Sequence, residues 1–307
     1  MDLFRLALAA AIALPISYAG TPATARLAYR LGAIDRPDGV RKLHHRVTPR
    51  LGGLALLAAI SPPLFFCFDS AIAPPLLAGG FLISAVGVCD DSHSLPPSVK
   101  LVCQSGVSLS AALLLAPPDA TLAGLIFASV WICATLNAFN LIDGSDGLAA
   151  GQGALSGVLL AAFALSAGLS GELDMSLGGD LALASLALSA ACLGFLPHNR
   201  ARASVFLGDT GAMLIGCSVA ILTLAFGARL MPIAALVSCA LPMTELLSSV
   251  ARRLARGSGL FCADRGHIHH RLADRGLSPK AIAIFAALAS LAFGCLVLAL
   301  YLLQNIA

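Results

Sequence analysis

Apolar residues fill this chain in runs of roughly 17 to 25 positions separated by short polar stretches, a pattern unlike the one-sided stripe of a soluble helix. A run of that length crosses a hydrocarbon core of about 30 Å as a helix, with every backbone polar group paired internally. The pattern predicts spans near 3–20, 51–68, 71–89, 99–116, 121–139, 148–169, 181–197, 210–228, 231–250 and 281–303. Pro62-Pro63 and Pro74-Pro75 mark places for kinks or shifted loops. The expected fold class is all-α: one integral-membrane domain, 1–307, forming a polytopic helix bundle of about ten transmembrane helices.

Composition strengthens that reading. Of 307 residues, 58% are hydrophobic and 11% charged, with a mean hydropathy of +0.90, whereas soluble domains carry about a quarter charged residues. The first segment, MDLFRLALAAAIALPISYAG, has the apolar centre and small residues of a signal peptide. Its only basic residue is Arg5 beside Asp2, and the loop that follows is basic, so it reads as an uncleaved first span. Placing the N-terminus outside puts stretches 21–50, 90–98, 140–147, 198–209 and 251–280 inside, and these hold 16 of the 19 Lys and Arg residues. Lys100 stands at a boundary, and only Arg5 and Arg229 fall on the other side. By the positive-inside rule both termini are then expected on the outer, periplasmic side of a bacterial inner membrane.

The polar residues sort the same way, since all seven histidines fall in the inner stretches. The nine cysteines form no CxxC or Cys/His ligand pattern and read as small apolar fillers. Four inner stretches carry candidate chemistry. GVCDDSHSLPPSVKL places Asp90 and Asp91 at the C-terminal end of a span, against the helix dipole, where a nearby cation or donor is expected. NAFNLIDGSDGLAAG repeats Asn137, Asn140, Asp143 and Asp146 at three-residue spacing, among glycines that let a ligand approach the backbone. Helix capping accounts for the two aspartates but not for the two asparagines.

In PHNRARASVFLGDTGAMLIG, Asp209 precedes a span between small residues; it suits either an N-cap or Mg²⁺, a cation that takes few protein oxygens. DRGHIHHRL crowds Arg265, His267, His269, His270 and Arg271 into seven positions, a phosphate-binding pattern or a basic loop facing anionic lipid. The basic stretch RPDGVRKLHHRVTPRLGG adds Lys42, His45, Arg46 and Arg50 just before a span, at the depth of a lipid phosphate. Carboxylates, amides, glycines and a His/Arg loop on one face suit phosphoryl transfer, which rests on positioning and charge neutralisation.

Five ordered motifs, RKLHHRVTPRLGG, the DD pair at 90–91, NAFNLIDGSDGLAAG, FLGDTG and DRGHIHHRL, cover nearly the whole chain. In them the chain resembles the bacterial polyprenyl-phosphate N-acetylhexosamine-1-phosphate transferases, glycosyltransferase family 4. The HIHH form resembles the branch using UDP-N-acetyl sugars rather than the muramoyl-pentapeptide branch. The resemblance implies transfer of a sugar 1-phosphate from a UDP-N-acetyl sugar to undecaprenyl phosphate, releasing UMP, with Mg²⁺ (or substituting Mn²⁺) at the cytoplasmic face. Family members start O-antigen and other envelope polysaccharides. By the same resemblance Asp209, with Asp90 and Asp91, implies the metal site, and Asp90, Asp91, Asp143, His267, His269 and His270 the catalytic set. Lys42, His45, Arg50, Asn140, Asp146, Asn199 and Arg271 are implied in substrate binding. Asp90 is the family's proposed base, yet a phosphate monoester is already mostly dianionic at neutral pH, so acceptor and metal placement is the role expected here.

The partners expected are the UDP-sugar, undecaprenyl phosphate and membrane lipids, without nucleic acid; a homodimer through outer span surfaces is compatible with the pattern. Two features depart from the family. Glu245-Leu246 stands where an Asp-Thr pair is common, and Cys262-Ala263 where a proline is common. Other classes fit less well. A His-box di-iron oxygenase leaves the DD and NxxNxxDGxDG stretches without a role. A CDP-alcohol phosphatidyltransferase needs Ala-Arg after its first DG, which DGSDGLAAG lacks. A transporter would gather its polar groups near the bilayer midplane rather than at one surface.

Overall fold

The structure, a computed structural model, describes residues 3–37, 47–67, 70–257, 259 and 266–306. The chain is a multi-pass helical membrane protein whose elements run α1 (Leu3–Leu31), β1 (Ile34–Asp35), β2 (Thr48–Pro49), α2 (Gly52–Leu64), α3 (Ala73–His93), α4 (Pro97–Leu115), α5 (Leu122–Ile142), α6 (Leu148–Leu169), α7 (Met175–Asn199), α8 (Gly208–Ala225), α9 (Gly227–Ala255), α10 (Ile268–Ala273) and α11 (Pro279–Ile306). Among the described residues nine helices are long and apolar enough to cross a membrane.

The predicted second span, 51–68, is the exception. It is a 13-residue helix followed by a 3₁₀ turn, Phe65–Cys67, so its α-helical part rises only about 20 Å. Pro62 and Pro63 lie in its last turn and offer no N–H to the ladder, and the Phe65 N–H closes back onto their carbonyls. In the other direction, α1 outruns its predicted end at residue 20 by eleven residues and stops at Leu31, before Gly32 at φ +73°. The short helix α10 lies outside the ten predicted spans, and the two-residue β1–β2 pair is a small addition to the all-α expectation.

Helix α8 is the axis of the bundle: 83% of its most apolar stretch is buried, against 17% for α11, whose apolar surface faces outward. Small residues bring its neighbours to backbone contact. A Cβ at Gly53 of α2 would strike the backbone of Gly211, one at Gly87 of α3 would strike Thr210, and one at Gly216 would strike Leu136 of α5. In lipid, where apolar burial gives helices little reason to associate, such approach supplies the packing energy. Cys239 departs from helical geometry (φ −131°, ψ 20°) three residues before Pro242, which kinks α9. The Ser238 carbonyl, which Pro242 cannot bond, accepts from the Ser156 hydroxyl of α6 at 2.5 Å.

The antiparallel pair β1–β2 (Ile34 opposite Pro49, Asp35 opposite Thr48) closes the base of the basic stretch. Backbone bonds from Phe206 N to Pro49 O (2.8 Å), Gly52 N to Phe206 O (3.1 Å) and Gly53 N to Leu207 O (3.1 Å) stitch it to the approach of α8. Arg50 is thereby fixed beside the start of that helix.

Candidate active site

Up-and-down connections bring the C-termini of α3, α5 and α7 and the N-termini of α2, α4 and α8 to one end of the bundle. Asp90 and Asp91 end α3, Lys100 lies in the first turn of α4, Asn140 in the last turn of α5, and Asp209 in the first turn of α8. The Lys100 ammonium lies 2.8 Å from Asp90 Oδ2 and 2.6 Å from Asp209 Oδ2. With its amide set to match its neighbours, Asn140 donates to Asp209 Oδ1 at 2.7 Å and accepts from Lys100 Nζ at 3.2 Å. Asp90 Oδ1 accepts from the Leu95 N–H at 2.7 Å, closing the turn after α3. The cation that the adjacent carboxylates call for is therefore Lys100. A lysine in the first turn of a helix opposes the dipole as two aspartates do in the last; the mismatched pair was a legible signal, noted in the sequence only as a boundary charge.

Asp91 is occupied differently. Its carboxylate accepts from the Asp209 N–H (3.1 Å), the Thr210 N–H (3.0 Å) and the Thr210 hydroxyl (2.8 Å), and Arg50 Nε lies 3.4 Å away. An anion here caps the α8 N-terminus, where dipole and unpaired N–H groups favour it. Gly208, at φ +71°, brings the backbone close, since a Cβ there would strike Asp91 and the Arg50 carbonyl. Asp91 thus anchors α3 to α8 and fixes where Asp209 points.

Asp143 follows α5 as its C-cap residue, and no hydrogen bond to its carboxylate is seen among the described residues. Burial, and then the charge of Asp209, hold its pKa well above the usual carboxylate range. Asp146 and Asn199 brace the neighbouring loops. Asp146 Oδ2 accepts from the Arg202 and Ala203 N–H groups (3.0 and 3.2 Å), while Asn199 accepts from Gly147 N (3.0 Å) and donates to Val205 O (3.1 Å). Asn137 turns inward to Gln104 of α4 at 3.0 Å.

The histidines approach the DGSDG turn. His267 and His269 are buried, their rings parallel with centroids 5.7 Å apart, and the His270 ring lies 4.3 Å from that of His269. A Cβ at Gly144 would collide with the His269 ring, so the glycine beside Asp143 is what admits this histidine to the DGSDG turn. His269 Nδ1 is buried with no hydrogen-bond partner among the described residues. Burial, and then the neighbouring His270 and His267, lower its pKa to about 4, so it stands neutral at physiological pH. Arg271 is exposed. Lys42, His45, Arg46, Arg265 and the Cys262-Ala263 departure lie outside the described residues.

A divalent cation fits this floor on charge. Among the described residues Asp90, Asp91, Asp143 and Asp209 face two fixed cations, Lys100 and Arg50, and all the donors are oxygens, as Mg²⁺ prefers. No ready-made cage of three His, Cys, Asp or Glu groups occurs among the described residues. Mg²⁺ characteristically keeps several waters and binds through one or two carboxylates together with substrate phosphates.

A bundle of membrane helices with carboxylates, one lysine and a histidine cluster gathered at one end defines a class: polytopic membrane proteins with a charged site at one end of the bundle. The chain belongs to glycosyl transferase family 4, whose profile matches residues 73–227. Among its curated relatives, the decaprenyl-phosphate N-acetylglucosaminephosphotransferase of Mycobacterium tuberculosis is 32% identical over 92% of this chain and 80% of the relative. The undecaprenyl-phosphate alpha-N-acetylglucosaminyl 1-phosphate transferases of Salmonella typhimurium and Escherichia coli are 30% and 29% identical, each over 86% of this chain and 76% of the relative.

Proposed function

We propose that this chain transfers an N-acetylhexosamine 1-phosphate from a UDP-sugar to undecaprenyl phosphate, giving the undecaprenyl-diphosphate sugar and UMP. The observation that carries the reading is the Asp90–Lys100–Asp209 cluster, with Asp143 close enough to feel the charge of Asp209, in a chain whose relatives are named for this transfer. N-acetylglucosamine is the sugar in those names, which supports UDP-GlcNAc as the donor to test first. The excess of Lys and Arg at this end favours the cytoplasmic face of a bacterial inner membrane. The product would begin O-antigen or another envelope polysaccharide.

Asp209 and Asp90 are the residues that would hold Mg²⁺, or Mn²⁺ in its place, with Asp143 nearby; Asp91 keeps Asp209 in position. When bound, the cation neutralises charge on the donor diphosphate. Lys100, held between Asp90 and Asp209, places a fixed positive charge at the reacting phosphates. Arg50, with Lys42 and His45, receives the acceptor head group while its isoprenoid tail stays in lipid. Histidines 267, 269 and 270 close over the donor phosphates from the α10 side. The acceptor phosphate oxygen attacks the β-phosphorus in line, the bond from that phosphorus to the bridging oxygen breaks, and UMP departs carrying the electron pair.

The test is to incubate purified protein with undecaprenyl phosphate, Mg²⁺ and, separately, labelled UDP-GlcNAc, UDP-GalNAc and a 6-deoxy analogue, following UMP release and label in lipid. Metal-dependent lipid product with one donor is the expected result. Nucleotide release without lipid product would point to a hydrolase and overturn the reading.

A further inference from the structure

Glu245 is a buried carboxylate in the half of α9 beyond the kink, away from the floor of aspartates. Its two oxygens divide their work. Oε1 lies 2.8 Å from His267 Nδ1, and Oε2 accepts from the Ile268 N–H at 3.2 Å. Arg252, two turns along α9, reaches Oε1 at 3.3 Å and also donates to the Ser248 hydroxyl at 3.0 Å. One carboxylate therefore grips both the ring of His267 and the backbone that follows it, fixing the ring plane as well as its position. His267 in turn lies parallel to His269, whose ring rests on Gly144 beside Asp143. A continuous line of contact thus runs from α9 through two imidazoles to the DGSDG turn.

We propose that Glu245 is a positioning residue for the transfer reaction: it holds His267 with Nδ1 as donor and so fixes where the opposite ring nitrogen, Nε2, is aimed. A carboxylate that accepts from one ring nitrogen fixes the tautomer and aim of the other. Glutamine in its place has one acceptor oxygen for three donors, the ring, the Ile268 N–H and Arg252, so the joint grip on the ring and the backbone after it is lost. Aspartate keeps the charge with a shorter reach. The inference rests on the transferase reading, and its test includes an arm that does not depend on turnover.

Glu245→Gln should lower kcat about thirtyfold, the effect of losing one hydrogen bond to a charged group, while KM for the UDP-sugar moves less than about threefold. Glu245→Asp should recover part of the loss. His267→Gln and the double variant should be equally slow, because removing the anchor of an absent ring costs nothing more. In ¹⁵N-histidine spectra of the full chain in lipid nanodiscs, the His267 signal, identified by its loss in His267→Gln, should report a protonated Nδ1 and should change in Glu245→Gln. Additive losses in the double variant would overturn the proposal, as would Glu245→Gln turning over within about twofold of wild type. An unchanged His267 signal in Glu245→Gln would overturn it even in a preparation without turnover. Absence of lipid product from wild type would count against the transferase reading alone. Monodisperse elution and an unchanged melting temperature of Glu245→Gln identify the kinetic loss as one of positioning.

Discussion

The two walls of the site are built in contrasting ways. The carboxylate wall stands on α3, α4, α5 and α8, with α3 and α5 in backbone contact with the most buried helix of the bundle, and nearly all its charges are paired within the protein. The histidine wall stands on a six-residue helix beside α11, the most outward-facing span, and is tied in by the Glu245 carboxylate and the seat of His269 on Gly144. Phosphoryl transfer needs charge fixed in advance, because reorienting dipoles during reaction wastes stabilisation. The fold puts that fixed charge where packing is tightest and holds the histidine wall through the Glu245 carboxylate and the Gly144 seat.

The contrast can be broken from the carboxylate side first. Lys100→Met should abolish turnover and also lower the melting temperature, because removing one partner of a buried ion pair costs about 3–5 kcal/mol. A Lys100→Met protein that melts like wild type would show that the ammonium is not what holds Asp90 and Asp209 together. Gly87→Ala comes next: the added methyl pushes α3 from Thr210, with an expected loss of about 1–3 kcal/mol and displacement of Asp91 from the α8 N-terminus. Thermal unfolding in detergent, alongside turnover, checks both effects.

Asp143 predicts the opposite sign. Its folded pKa is raised, so its ionised form is disfavoured, and the resulting destabilisation grows as pH climbs above the unfolded value of about 3.9. Asp143→Asn should therefore raise the melting temperature of the protein at pH 7 while reducing activity. A variant that melts lower than wild type would contradict this. On the histidine wall, a ring with its pKa lowered to about 4 stays neutral through pH 5, where an unfolded histidine is charged. An NMR titration of His269 with a midpoint near 6.5 would show that the ring is solvated rather than seated on Gly144.

Much of this was legible before the structure. The apolar runs located the spans, and the sorting of Lys, Arg and His into alternate loops showed which polar stretches would share one end. What stayed hidden depended on distance across the fold. Asp90 and Asp91 are adjacent in sequence yet do different work, one facing Lys100 and the other capping α8, because successive residues on a helix point about 100° apart. Asn199 and Asp146, implied as substrate contacts, bind loop backbone, a role visible only once residues 147 and 202–205 lie beside them. Glu245 read as a departure from the family pattern; its partners lie 22 and 23 residues on, across a turn that no periodicity describes. The shortness of α2 was foreshadowed by Pro62-Pro63, but its effect on helix length depended on where the ladder failed.

We propose that Asp209 and Asp90, which form no ready-made cage by themselves, take up a metal together with the donor phosphates rather than serving only as a structural ion-pair cluster. That uptake is tested most directly by counting Mn²⁺ bound per chain by electron paramagnetic resonance in the presence of UDP-GlcNAc, comparing wild type with Asp209→Asn and following lipid product in the same samples. The account predicts one Mn²⁺ per wild-type chain, lost together with product in Asp209→Asn; equal Mn²⁺ binding and wild-type turnover by that variant would contradict it.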